Sequence, residues 1–136
     1  MTRTLVICKP DAVERGLAGE IVGRLERKGL RLVAARLETI DAETAARHYE
    51  EHRGKSFYDD LLAFITRSPS MVLVVEGPEE TWQIVRALMG PTDPSEAPPG
   101  TIRGDLGTKV PENLVHGSDS AESASREIET FFPGLP

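Results

Sequence analysis

Apolar positions along this chain fall into short runs and helical stripes that follow one another in a regular order. Thr4 to Cys8 is a β-branched, apolar run that predicts a buried strand. Pro10, which has no N–H to give to a ladder, ends it. Leu17, Ile21, Val22 and Leu25 then recur on one helical face, with Gly29 placed to stop the helix. Leu30 to Ile40 is rich in Leu, Val and Ala, interrupted by Arg31 and Arg36, and reads as a long strand. Asp41 suits the N-cap of a helix with Ala42, Ala45, Ala46 and Tyr49 on one side, closed by Gly54. Ser56 is the expected cap of a second helix, whose apolar face is Leu61, Leu62, Phe64 and Ile65 and whose end is Pro69. Met71 to Val75 is an unbroken apolar run, the mark of a fully buried strand. Gly77 and Pro78 open the next helix, with Pro78 suited to its first position, Trp82, Val85, Leu88 and Met89 facing the core, and Gly90 ending it. From Pro91 to Glu112 no period is visible, and prolines and glycines punctuate a long loop. Leu114 and Val115 end a short strand that delivers His116 into a turn. A last helix, about Ala121 to Phe132, sets Ala124, Ile128 and Phe131 on its apolar side.

The order is strand, helix, strand, two helices, strand, helix, long loop, strand, helix. Two β-α-β units and an extra helix pair close naturally as an α/β (α+β) ferredoxin-like sandwich. That is a four-stranded antiparallel sheet with helices packed on one face. With 136 residues the chain is expected to be a single domain, 1–136, large enough for a core of its own.

Charge and composition narrow the classes. A net charge of −6 argues against a nucleic-acid partner or an anionic membrane surface. No apolar run reaches the ~18 residues of a membrane span. Leu5 to Cys8 is too short for the core of a signal peptide. The single cysteine, Cys8, is expected as a small buried hydrophobe, and a cytoplasmic, reducing location follows. The histidines are His48, His52 and His116, and no zinc spacing appears among them. His48 and His52 share a helix face that Glu50 and Glu51 suggest is solvated.

Candidate chemistry gathers at strand ends and in the long loop. His116 precedes Gly117, whose missing Cβ is expected to let a ligand approach the backbone. Ser118, Asp119 and Ser120 stand where a helix could begin. An imidazole is neutral and nucleophilic near pH 7. Lys9 sits at the C-terminal end of a strand, where open α/β sheets meet their ligands. Arg86 lies within one helical turn of the loop, and the loop carries Thr92, Arg103, Lys109 and Asn113. Lys9, Arg86, Thr92, Arg103, Asn113 and His116 together would form a phosphate pocket beside a nucleophile. Phosphoryl transfer asks mainly for positioning and charge neutralisation, and this set supplies both.

Longer motifs carry a resemblance. K-P-D at Lys9 to Asp11, G-E-I at Gly19 to Ile21 and H-Y at His48 and Tyr49 are similar to the nucleoside diphosphate kinase family. So are P-G-T-I-R-G-D at Pro99 to Asp105 and N-L-V-H-G-S-D-S at Asn113 to Ser120. The likeness runs along essentially the whole chain. It implies a ping-pong kinase in which a phosphohistidine at His116 carries the γ-phosphoryl group from a nucleoside triphosphate to a diphosphate, maintaining nucleotide pools.

Residue by residue, the resemblance implies that Lys9, Arg86, Thr92 and Arg103 contact phosphates. Lys9 and Asn113 would meet the ribose hydroxyl. Phe57 would stack on the base, with Val110 on its other side. Ser118 and Glu127 would orient His116, with Tyr49 beside them. It further implies Mg²⁺ held mainly by nucleotide phosphates rather than by a protein metal site, and a homotetramer or homohexamer.

Cys8, Ala12, Ser68, Leu106 and Pro111 depart from the common pattern, and none removes a candidate catalytic group. Two rivals fit less well. A non-enzymatic nucleotide-binding or phosphohistidine-signalling module would be favoured by loss of His116 or Lys9, and both are present. An RNA-binding sheet needs aromatic residues on its strands and a basic face, and the expected strands offer no Phe, Tyr or Trp.

Overall fold

The computed structural model describes every residue from Met1 to Pro136. β1 (Thr2–Cys8) and β3 (Ser70–Gly77) are the interior strands, paired antiparallel from Thr2 opposite Gly77 to Cys8 opposite Met71. β2 (Arg31–Glu38) lies along the outer edge of β3, and the short β4 (Val115–Gly117) along the outer edge of β1, both antiparallel. The order β2-β3-β1-β4 is the ferredoxin-like sheet expected.

Helices cover both faces of the sheet rather than one. Successive strand residues point to opposite faces. Val6, Cys8, Leu73 and Val75 pack with Ile21 and Leu25 of α2 (Ala18–Arg27) and with Val85 and Met89 of α5 (Thr81–Met89). Leu5, Ile7, Val72 and Val74 pack on the other side with α3 (Ala42–His48), α4 (Tyr58–Thr66) and α7 (Ala121–Phe131) through Ala45, Ile65 and Phe131. Burial on both faces is why the interior strands read as unbroken apolar runs. The edge strand β2 is only partly covered, and Leu37 on it is exposed.

Local chemistry moved several boundaries. Pro10 ends β1 and at the same time opens a short helix, α1 (Pro10–Glu14), that no periodicity reveals. After α3 the chain makes a 3₁₀ turn, Glu50–His52, before Gly54. Ser56 does not cap α4; Phe57 holds the cap position, and Tyr58 N–H is met by Lys55 O at 3.1 Å. Pro78 precedes α5 rather than starting it, and Glu80, with φ of 61°, is its cap. Trp82 stays half-buried at the rim because its indole N–H needs a partner, which it finds in Glu80 Oε2 at 2.8 Å.

The stretch Pro91–Glu112 is also not structureless. It holds a 3₁₀ turn, Pro94–Glu96, and a short helix, α6 (Ile102–Leu106), capped by Asp93 and Thr101 respectively. Elements of three and five residues are too short to show a period. Gly104 is required here, since a Cβ would sit 1.9 Å from the carbonyl oxygen of Pro98. No helix is long and apolar enough to cross a membrane.

Candidate active site

A cavity of about 500 Å³ opens beside the C-terminal end of β1 and is lined from α3, α4, α5, α6, β4 and α7. His116 stands on its wall. It lies in the middle of β4, opposite Ile7, and not in a turn after the strand. The turn comes earlier, at Leu114, which takes a left-handed φ of 76°. Two groups of the K-P-D stretch hold it there: Asp11 Oδ2 accepts the Leu114 N–H at 3.1 Å, and Lys9 N–H donates to Leu114 O at 2.9 Å. Asp11 is buried, and burial raises its carboxyl above the ordinary value despite Lys9 nearby. Its structural part was hidden in a motif noted only for likeness.

Gly117 serves packing rather than ligand access. A Cβ there would lie 2.5 Å from Met89 Sδ and 3.1 Å from Val85 Cγ1, so the missing side chain lets α5 close on β4. Arg86 on the same helix then reaches Gly117 O with Nη1 at 3.0 Å.

Behind His116, Glu127 Oε1 meets its Nε2 at 2.9 Å and also accepts Ser118 Oγ–H at 2.7 Å. Ser118 is placed in turn by the backbone of Leu5, whose N–H reaches Ser118 Oγ at 3.4 Å. Burial opposes the charge on Glu127. The bonds from His116 and Ser118, with the neighbouring imidazoles, outweigh it and pull the carboxyl down to about 2. An ionised Glu127 fixes the neutral tautomer of His116 with its proton on Nε2. Nδ1 then keeps its lone pair and has no protein partner.

His48 is a correction. It is buried, not solvated, and its ring stands edge-on to His116 with centroids 4.7 Å apart and planes at 83°. Neither of its nitrogens has a partner. Burial, with the His116 ring beside it, lowers its pKa to about 3. Tyr49 packs against His48 at 4.6 Å and lines the cavity, while burial raises its hydroxyl to about 12. The resemblance set Tyr49 beside His116; the structure instead puts His48 against that ring, with Tyr49 packed on His48. His48, His116 and Glu127 bring ligating atoms within 4.8 Å of one another.

The cations are braced by neutral oxygens, a side-chain amide for Lys9 and backbone carbonyls for Arg86 and Arg103. Lys9 Nζ donates to Asn113 Oδ1 at 2.6 Å, and Asn113 Nδ2 donates to Thr92 O at 2.8 Å. Burial, then the charge of Arg103, lowers the Lys9 ammonium to about 8. Arg103 spends three donors on Asn113 O, Gly90 O and Val115 O, at 3.2, 2.9 and 2.6 Å. Burial and Arg86 lower its pKa to about 10. It therefore ties the loop to β4 as well as lining the cavity. At the far end Phe57 and Val110 are exposed, 45% and 52%, and both line the same cavity. Every site residue named from the sequence except Ser118 lies on the cavity wall, and Ser118 stands directly behind it.

The family model described as nucleoside diphosphate kinase matches residues 2–135. A nucleoside diphosphate kinase of Thermomicrobium roseum is 60% identical over 97% of this chain and 88% of its own. One from Saccharopolyspora erythraea is 58% identical over 98% of each. Among solved structures, a halophilic nucleoside diphosphate kinase from Halobacterium salinarum in complex with CDP superposes with a TM-score of 0.92. It is 50% identical, over 96% of this chain and 86% of that one. Matched by the family model over residues 2–135 and 60% identical to a relative over nearly its whole length, the chain belongs to the nucleoside diphosphate kinase family.

Proposed function

We propose that His116 Nδ1 is the atom that carries the phosphoryl group between nucleotides. The observation that carries this reading is the His116–Glu127 contact, which holds the ring proton on Nε2 and leaves the Nδ1 lone pair free in a cavity that Lys9, Arg86 and Arg103 also line. In the forward half-reaction that lone pair attacks the γ-phosphorus. The bond from phosphorus to the β,γ-bridging oxygen breaks, and the diphosphate leaves with that electron pair. The proton stays on Nε2, shared with Glu127. The second half-reaction reverses these steps onto a different diphosphate. Lys9, Arg86 and Arg103 neutralise charge that spreads over the phosphate oxygens. Thr92 and Asn113 hold phosphate and ribose. Phe57 and Val110 take the two sides of the base, Ser118 and Glu127 steady the histidine, and Tyr49 packs on His48 next to it.

Mg²⁺ fits this site as a passenger of the nucleotide. The phosphate end is lined by cations, and Asp119, an exposed carboxylate of the N-L-V-H-G-S-D-S motif, lines the cavity without forming an oxygen cage. Bound, the ion neutralises β- and γ-phosphate charge. Incubated with ATP and Mg²⁺ but no acceptor, the protein gains one phosphoryl group that acid removes and base does not. Peptide mapping places it on His116, and chelation or His116→Asn abolishes it. A phosphate on Ser118 or Ser120 instead overturns the mechanism.

The working form is a homotetramer or homohexamer in the cytoplasm. The loop Pro91–Glu112 buries Pro94, Ile102 and Arg103 within its own chain, so it does not itself call for a partner subunit. Support comes instead from β2, an edge strand with unpaired backbone groups and an exposed Leu37. Light scattering reports a closed oligomer; a fully active monomer at nanomolar concentration refutes it. The free, buried thiol of Cys8, raised to about 12 by burial, suits a reducing compartment.

A further inference from the structure

His48 is the one buried side chain at this site that the phosphoryl-transfer reading leaves without a task. Both of its ring nitrogens are enclosed and unpartnered. Buried polar groups are nearly always hydrogen-bonded, so an imidazole with neither nitrogen satisfied points to a missing partner. The ring lies between the His116 ring, 4.7 Å away, and the apolar ring of Phe131, 5.4 Å away. One imidazole nitrogen from each histidine and one carboxylate oxygen of Glu127 fall within 4.8 Å of one another. Two neutral imidazoles and one carboxylate, with a fourth side open to a cavity, are a ligand set that zinc takes.

We propose that His48, His116 and Glu127 form an inhibitory site for a borderline-soft divalent cation, Zn²⁺ foremost. Mg²⁺ is excluded by its preference for oxygen ligands in an octahedron. Zinc bonds of about 2.0 Å put tetrahedral ligands roughly 3.3 Å apart. The 4.8 Å limit on the set therefore calls for closing by no more than about 1.5 Å, which turns of the His48 and His116 rings supply. Glu127 Oε2 faces Arg126 Nη2 at 4.0 Å, so Oε1, now shared by His116 and Ser118, is the oxygen that the ion takes.

The consequence follows from proton balance. A metal ion on His116 Nε2 occupies the lone pair exposed when the Nε2 proton leaves. In the neutral ring that proton moves to Nδ1. Nδ1 then has no lone pair to offer a phosphorus atom, and no net proton is released. Zinc thus stops the reaction by switching the tautomer rather than by filling the nucleotide site, and this consequence rests on the Nδ1 reading above.

The test separates the two claims. Nucleotide-free protein is titrated with Co²⁺ alone, and the visible band of a tetrahedral ion is followed. One equivalent is expected, displaced by Zn²⁺. His48→Phe keeps the ring packing against Tyr49 and Phe131 and removes both nitrogens, so it should weaken binding by about tenfold or more. Glu127→Gln, read by the same band, gives the second variant where His48→Phe does not fold. Phosphohistidine formation from ATP and Mg²⁺ should fall in step with Zn²⁺ occupancy in the wild type and resist zinc in His48→Phe. No tetrahedral band, or equal binding by wild type and both variants, overturns the site. Normal phosphohistidine with no Co²⁺ band refutes the metal site alone. A Co²⁺ band without any phosphohistidine refutes the kinase mechanism alone.

Discussion

The two ends of the cavity are built on opposite principles. At the phosphate end the functional side chains are tied to one another or to the backbone. Lys9 is held by Asn113, Asn113 by Thr92, Arg103 by three carbonyls, and His116 by Glu127, which Ser118 braces. At the base end Phe57 and Val110 stand exposed. Lys55 Nζ lies 5.8 Å over the Phe57 ring, and the His52 ring is 5.5 Å from it. The difference matches what each end must do. In-line transfer needs reacting groups placed to a fraction of an ångström, and preorganised donors cost nothing at the moment of reaction. A base of any kind needs only a flat surface. Rigidity is concentrated where chemistry happens and left out where breadth of substrate is wanted.

The largest break in this contrast should come from Lys9. Lys9→Met removes a cation and leaves Asn113 Oδ1 without its donor. A loss of about 10²–10³ in kcat/KM is expected, the scale of removing one preorganised donor. With a folded-state value of about 8, the wild-type ammonium is also lost as pH rises. KM for the nucleotide should therefore climb above about pH 8 in the wild type and stay flat in Lys9→Met. A parallel rise in both proteins would assign that limb to another group.

Acid should loosen the tied end next. His48 is held down to about 3 from 6.5, and Glu127 to about 2 from 4.5. For His48 the unfolded chain takes up a proton that the folded chain refuses, so stability falls as pH drops below about 6.5. For Glu127 the folded carboxylate stays ionised longer than the unfolded one, so its contribution is present above about 4.5 and lost as pH falls towards 2. Melting temperature should decline in two stages. His48→Phe should remove the first, between about pH 6.5 and 4.5. If the variant still melts earlier over that window by as much as the wild type, some other group is responsible.

The same contrast explains what could be read in the sequence. Strand and helix identities were legible because burial writes itself into apolar runs and stripes. The unbroken runs in β1 and β3 also encoded burial on both faces, which helices on one face alone would not provide. The tied end was legible in identity but not in wiring. His116, Lys9 and Arg103 carry chemistry that their residue types announce, whereas Glu127 was marked only by the family resemblance. Asp11 bonds to Leu114 and His48 packs on His116, partners distant in sequence that only the fold brings near. Gly117 looked like an opening for a ligand because its true neighbour, Met89, lies on another element. Caps and short helices in Pro91–Glu112 left no period to detect.

The smallest expected effect tests the loose end. Phe57 is half exposed, so its loss should sit near the bottom of the about 1–3 kcal/mol that base stacking is worth. Phe57→Ala should weaken binding by about fivefold, a change of about 1 kcal/mol. What matters is less the size than its uniformity. Stacking has no preference for one base edge over another, so adenine and guanine nucleotides should lose by the same factor while kcat holds. The alternative is present in the structure, because Glu51, His52 and Asp60 line the cavity around Phe57 and Leu61. Their carboxylates and imidazole could accept from or donate to a base edge. Titration of the Phe57→Ala protein with ADP and with GDP decides between them. A loss confined to one base would mean that these polar groups read the base, and the loose end of the cavity would be a selective one.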